Sequence, residues 1–136
     1  MSAVLVDSNI ILDIVSNRGE WSEWSSDAIA RAGESARLVI NPVIYAEVSI
    51  YYSRIEDLDR AIPQDIFARE PISYAAAFLG AKAFLIYQRR GGTRTSPLPD
   101  FFIGAHAAVS GYRLITRDAK RYRTYFPEVQ LITPNS

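Results

Sequence analysis

The segment V-L-V at positions 4–6 is apolar at every position and stops at a carboxylate, Asp7. A strand with one wet face alternates polar and apolar residues. One without alternation needs cover on both faces, which a parallel sheet sandwiched between helices provides. The rest of the chain meets that demand. Short β-rich runs predict strands at Ala3–Val6, Arg37–Ile40, Arg113–Thr116 and Val129–Ile132, with Asp65–Arg69 a further candidate. Between them, apolar spacing and boundary residues predict helices over Ser8–Val15, Glu20–Ala32, Pro42–Tyr52, Ser73–Arg90, Pro99–Ser110 and Ala119–Tyr125. Such alternation specifies an α/β fold with a largely parallel sheet, helices on both faces and right-handed crossovers. With 136 residues and no repeat, the chain reads as one domain, 1–136.

The residue inventory narrows the chemistry. No cysteine is present, which excludes disulfides, thiolate-bound zinc, iron–sulfur clusters and a thiol nucleophile. A single histidine, His106, excludes a two-histidine acid–base pair within one chain. Oxygen ligands, hydroxyls and cations remain. The longest apolar stretch, Tyr74–Tyr87, is broken by Lys82 and too short to span a bilayer, and the start has no basic leader, so a soluble cytoplasmic protein is expected. Charge is zero overall yet uneven. Residues 1–81 hold 6 basic and 12 acidic residues, and residues 82–136 hold 9 basic and 3 acidic, an asymmetry that suits a polyanion-binding face.

Ligands in open α/β sheets gather outside the carboxyl ends of the strands. Four acids fall there. Asp7 ends the first strand, Glu47 lies about a turn into the helix after Pro42, Asp100 follows Pro99 at a helix start, and Asp118 follows the strand R-L-I-T. Taken singly, an Asp at such a place serves equally as a helix cap. Glu47 differs, because it stands inside a helix among Val43, Ile44, Ala46, Val48 and Ile50. Four acids from separate segments at one sheet end favour a shared cluster, which needs a cation to stay charged. With oxygen donors alone, Mg²⁺ or Mn²⁺ is the natural choice; either polarises a phosphodiester and lowers the pKa of water.

The strings V-L-V-D-S-N-I-I-L-D, N-P-V-I-Y-A-E-V, L-P-D-F-F-I-G-A-H-A and L-I-T-R-D resemble, in order and spacing, the PIN-domain ribonucleases and in particular the VapC-like toxins of bacterial toxin–antitoxin pairs. The resemblance spans nearly the whole chain. It implies a three-layer α/β/α fold with sheet order 3-2-1-4-5, a metal site of Asp7, Glu47, Asp100 and Asp118, and endonucleolytic cleavage of RNA, with structured RNA of translation the usual target. It also implies a VapB-like antitoxin partner and a homodimer. Many relatives carry another acid a few residues after the last motif, where this chain has K-R-Y with Arg121, leaving Asp118 as the fourth acid. Many have Thr in place of Ser8, which keeps the hydroxyl.

Around these acids, Ser8, Asn9 and Thr116 either orient waters and carboxylates or serve as turn and cap residues. Asp13, six residues past Asp7, points about 120° away on a regular helix and reads as solvated or salt-bridged. His106 reads as a hydrogen-bonded structural residue. Arg89, Arg90, Arg94 and Arg117 flank the predicted site and could clamp phosphates. The alternatives are solvated helix-end charges for Arg89 and Arg90, and a pair with a site carboxylate for Arg117. Trp21 and Trp24 share one helical stripe, either core or partner groove; Tyr74, Phe78 and Leu85 suggest core or a dimer seam.

Rival folds of the same class fail on residues. A receiver domain wants an acidic pair before Asp7, a haloacid-dehalogenase phosphatase wants an acid at Asn9, and a dinucleotide-binding domain wants glycines where D-S-N-I-I stands. The non-enzymatic alternative is a catalytically inactive PIN-like module that binds RNA or protein.

Overall fold

The computed structural model describes residues 2–16, 19–92 and 98–134. Along the chain run β1 (Ser2–Val6), α1 (Ser8–Ser16), α2 (Ser22–Gly33), β2 (Ala36–Ile40), α3 (Pro42–Ser49) and α4 (Ile55–Ala61). They are followed by β3 (Ala68–Arg69), α5 (Tyr74–Arg89), α6 (Leu98–Ser110), β4 (Arg113–Ile115), α7 (Ala119–Tyr125) and β5 (Leu131–Ile132). Every ladder is parallel and the order is β3-β2-β1-β4-β5. The expected α/β fold and strand order are therefore observed.

β1 lies in the middle of the sheet, Leu5 pairing with Val39 on one side and Leu114 on the other. Val4, Leu5 and Val6 are fully buried, as the unbroken apolar run requires. Connections β1 to β2 and β2 to β3 cross the sheet one way; β3 to β4 and β4 to β5 cross it the other way. Right-handed crossovers of opposite direction place their helices on opposite faces. The chain reverses direction beside β1, so the carboxyl ends of β1 and β4 flank the crevice where such folds hold ligands.

Three local devices hold the helices that matter. Asn41 caps α3, its Oδ1 accepting from the N–H of Ile44 at 2.9 Å, with Pro42 in the first turn. Ser73 caps α5 by accepting from Ala76 N–H at 3.1 Å. Gly111 ends α6 at φ +70°, and Tyr112 N–H bonds back to Ala107 O at 2.9 Å. Where α5 packs on α6, Gly80 lets the backbones meet: a Cβ there would stand 2.9 Å from the Phe101 carbonyl oxygen.

Several boundaries differ from expectation. Helix α4 was not foreseen; I-E-D-L-D-R-A is only seven residues long, and its one buried side chain, Leu58, gives too little periodicity to recognise. α3 stops at Ser49 rather than Tyr52, since Tyr51 and Tyr52 bond three residues back in tight turns. α2 begins at Ser22 rather than Glu20, and β3 and β5 are two residues each. The core reading of Tyr74 and Phe78 is corrected: they are 95% and 66% exposed, and α5 buries Ala76, Gly80 and Ala83 instead. Trp21 and Trp24 are half-buried, Trp24 against the core. No helix among the described residues is long and apolar enough to cross a membrane.

Candidate metal centre

Asp7 follows β1 directly, and its N–H continues the β1–β4 ladder by donating to Ile115 O at 3.0 Å. Its side chain is buried and triply held. Oδ1 accepts from Ser8 N–H at 2.7 Å, while Oδ2 accepts from the Thr116 hydroxyl at 2.8 Å and the Tyr122 hydroxyl at 3.0 Å. Glu47, on α3, accepts from the Ser8 hydroxyl at 2.8 Å through Oε1. Asp100, in the first turn of α6, accepts from Nη1 of Arg121 at 2.8 Å through Oδ2. One oxygen from each of Asp7, Glu47 and Asp100 lies within 4.8 Å of the others.

Burying carboxylates beside one another is electrostatically costly, and the proton affinities of Asp7 and Asp100 record it. Burial pushes Asp7 up to about 6, with Glu47's charge adding and the donors from Thr116, Tyr122 and Ser8 opposing. Burial, then the charge of Asp7, pushes Asp100 up to about 7 against the restraining bond from Arg121. Burial and the neighbouring Asp7 charge raise the Tyr122 phenol well above its ordinary value, so it remains a donor. Convergent hard oxygen donors under mutual repulsion suit a small divalent cation that completes its octahedral shell with water.

Asp118 stands apart from this trio. It occupies the N-cap position of α7 without a capping bond, its side chain is 48% exposed, and Oδ2 is 3.6 Å from Nη1 of Arg121. The two site residues that sequence reasoning left out are Arg121 and Tyr122. Arg121 had been noted only as a departure from the family pattern. Tyr122 is a fully buried tyrosine in a charged helix, and its need for an acceptor was the available signal.

The surrounding residues sort by what they touch. Ser8 and Thr116 orient carboxylates, one of the two roles open to them. Asn9 serves the turn, its Oδ1 accepting from Arg117 N–H at 3.3 Å. Arg117 does not pair with a site carboxylate: its Nε and Nη2 donate to Asp13 at 2.7 and 3.0 Å, and its guanidinium lies 5.5 Å from the centre of the Trp21 ring. Asp13 is thus salt-bridged, in agreement with its spacing. Arg89 closes the last turn of α5, and the exposed Arg90 beyond it lies over Tyr125 of α7 at 5.6 Å. Arg94 lies outside the described residues.

His106 is buried in a separate network. Asn41 points its Oδ1 at the α3 N-terminus, so its amide nitrogen faces His106 Nδ1 at 2.9 Å. Nδ1 therefore accepts and Nε2 carries the proton, 3.5 Å from Glu70. Burial lowers the His106 pKa below its ordinary 6.5, and the residue is structural, as the sequence indicated. Beside the trio, Pro42, Val43, Ala46, Ile50, Leu98 and Phe102 line an apolar groove of about 360 Å³ that Glu47 borders.

A family model described as PIN domain matches residues 4–127. Among solved structures, VapBC2 from Rickettsia felis bound to a promoter DNA fragment superposes with a TM-score of 0.74 at 14% identity, covering 96% of this chain and 98% of that one. A toxin–antitoxin complex from Klebsiella pneumoniae gives 0.72 at 23%, covering 96% and 97%. VapC20 of Mycobacterium tuberculosis, described as a sarcin–ricin loop cleaving toxin, gives 0.63 at 15%, covering 93% and 98%. Comparison with curated proteins produced no match.

Proposed function

The chain belongs to the PIN-domain family, and from that premise we propose that it is a divalent-metal-dependent endoribonuclease, the VapC-like toxin of a toxin–antitoxin pair. It acts as a single domain in the cytoplasm on structured RNA of translation such as tRNA or rRNA. The observation that carries this reading is the convergence of Asp7, Glu47 and Asp100, from three separate segments, on one point at the carboxyl end of the sheet. The likeness to toxin–antitoxin complexes and to a sarcin–ricin loop cleaving toxin supports the same reading.

Asp7, Glu47 and Asp100 would hold Mg²⁺ or Mn²⁺, which supplies Lewis-acid polarisation of the phosphodiester. The three donors on Asp7 fix the direction of its lone pairs, and Ser8 ties Glu47 to the same frame. Asp100, pushed up to about 7, would have to be ionised to hold the ion. Asp118, exposed at the mouth, orients the attacking water. Arg89, Arg90 and Arg94 meet the RNA backbone; Arg117 acts through Asp13 to brace the turn after β4. Attack by a water that the bound ion activates would leave 5′-phosphate and 3′-hydroxyl ends.

Two exposed apolar surfaces suit the expected partners. Tyr74 and Phe78 on α5, with Leu85 and Ile86, offer a homodimer seam, and Ile50, Tyr51 and Ile55 around the α3–α4 turn offer a seat for a VapB-like antitoxin. The decisive experiment incubates the purified chain with structured RNA and Mn²⁺ beside Asp7→Asn and Asp100→Asn. Cleavage that depends on metal and is lost in both folded variants is expected. Equal cleavage by the variants defeats the assignment, and RNA binding without cleavage by the wild type favours the inactive binding module.

A further inference from the structure

Arg121 stands in the K-R-Y segment, where many of the relatives that this chain resembles carry an acid, and it is not turned to solvent. Its side chain is 22% exposed, Nη1 is 2.8 Å from Asp100 and 3.6 Å from Asp118, and its guanidinium lies 5.6 Å from the centre of the Tyr87 ring. One cationic nitrogen thus bridges a carboxylate of the trio and the carboxylate that stands outside it. In two-ion phosphodiesterases, a second positive charge in the centre helps to stabilise the attacking and leaving oxygens.

Resting on the nuclease reading above, we infer that Arg121 is the second cation of this centre: the chain takes one divalent ion, and the guanidinium contacts the scissile phosphate. Charge supports this. Asp7, Glu47, Asp100 and Asp118 carry −4 when ionised; one divalent ion and Arg121 bring the total to −1, whereas two ions and Arg121 would leave it at +1. An anionic phosphate offsets some of that positive charge, but the second ion would still face a guanidinium held at the carboxylates it must use. Arginine presents five N–H donors in a planar fork, so bonding Asp100 leaves capacity for a phosphate oxygen, and its charge persists at every working pH. Asp118 at the N-cap of α7 and Arg121 in its first turn lie three residues apart, and the Tyr87 ring from α5 gives the guanidinium a flat support.

The test is calorimetric titration of the full chain with MnCl₂, run beside RNA cleavage. Wild type should bind one ion. Arg121→Asp should bind two, since it restores an acid and removes the competing charge. Arg121→Gln should bind one ion about tenfold more tightly, relieved of a like charge, yet cleave about 100-fold more slowly through kcat, the size expected for loss of one donor to a developing anion; Arg121→Lys should recover part of the rate. A residue that merely holds Asp100 in place would give the opposite sign, weaker metal binding in Arg121→Gln, and that result overturns the inference. Two ions in the wild type with cleavage intact overturn it as well, while the nuclease reading survives. No ion and no cleavage remove both. Should Arg121→Asp not fold, the sign of the affinity change in Arg121→Gln decides the question.

Discussion

The hydroxyl of Tyr122 lies 3.0 Å from Oδ2 of Asp7, joining α7 to the end of the central strand inside a water-excluded pocket. That bond favours the ionised carboxylate and opposes the burial that pushes Asp7 up to about 6. Tyr122→Phe keeps the ring and removes only the donor. The variant should fold with a loss of about 0.5–1.5 kcal/mol. Its affinity for Mn²⁺ should fall several-fold near pH 7 and converge on the wild type at higher pH, where Asp7 is ionised in both. Titrations at two pH values check this; a gap that does not narrow refutes the account.

The metal-free protein should be destabilised as the pH rises. Asp7 at about 6 and Asp100 at about 7 hold protons more tightly in the folded chain than at their ordinary 3.8. Between roughly pH 4 and 7 the native state therefore binds more protons than the unfolded one, and unfolding free energy falls with rising pH. His106 acts in the opposite sense, because its depressed pKa means the unfolded chain takes that proton first as pH falls through 6.5. Subtracting the melting profile of Asp100→Asn from that of wild type isolates the carboxylate contribution, which should favour acidic conditions. Saturating Mg²⁺ should reverse the trend, since the ion binds the ionised form. Parallel profiles for the two proteins would sink the argument.

Asp13 and Arg117 form a two-pronged pair that also receives the Ser25 hydroxyl at 2.7 Å, fastening α1, α2 and the turn after β4 together. Asp13→Ala strands a partly buried guanidinium and should cost about 1–3 kcal/mol. Metal binding should be unchanged. Denaturant melts and a Mn²⁺ titration separate the two effects; a loss of affinity as large as that of Asp100→Asn would place Asp13 in the centre after all.

Gly80→Ala brings a methyl within 2.9 Å of the Phe101 carbonyl and the Phe102 ring. Alanine gains about 1 kcal/mol in helix propensity, but forcing α5 from α6 should cost more, leaving the variant about 1–2 kcal/mol less stable. Because Asp100 precedes Phe101 on the displaced helix, Mn²⁺ affinity should drop too. A variant as stable as wild type in chemical denaturation would show that the two helices can separate freely.

Strong, local signals were readable without a structure: the V-L-V run, the helix starts at Pro42 and Ser73, and the acids at strand ends. What depends on distant packing was not. Nothing near Arg117 announces that its partner is Asp13, 104 residues earlier, rather than a site acid. Spacing placed Asp118 at the right end of the sheet but not the direction of its side chain, which the turn into α7 leaves half in water. The roles of Arg121 and Tyr122 were not legible because they rest on bonds from α7 to Asp100 and Asp7, which no local pattern encodes.

The partners of Asp7 at Thr116 and Tyr122 are 109 and 115 positions away along the chain. A nascent polypeptide synthesised only as far as α6 already contains all three converging carboxylates, yet lacks β4 and the hydroxyls that steady the first of them. The frame around Asp7 therefore closes only when β4 and α7, near the far end of the chain, have packed against the end of the first strand.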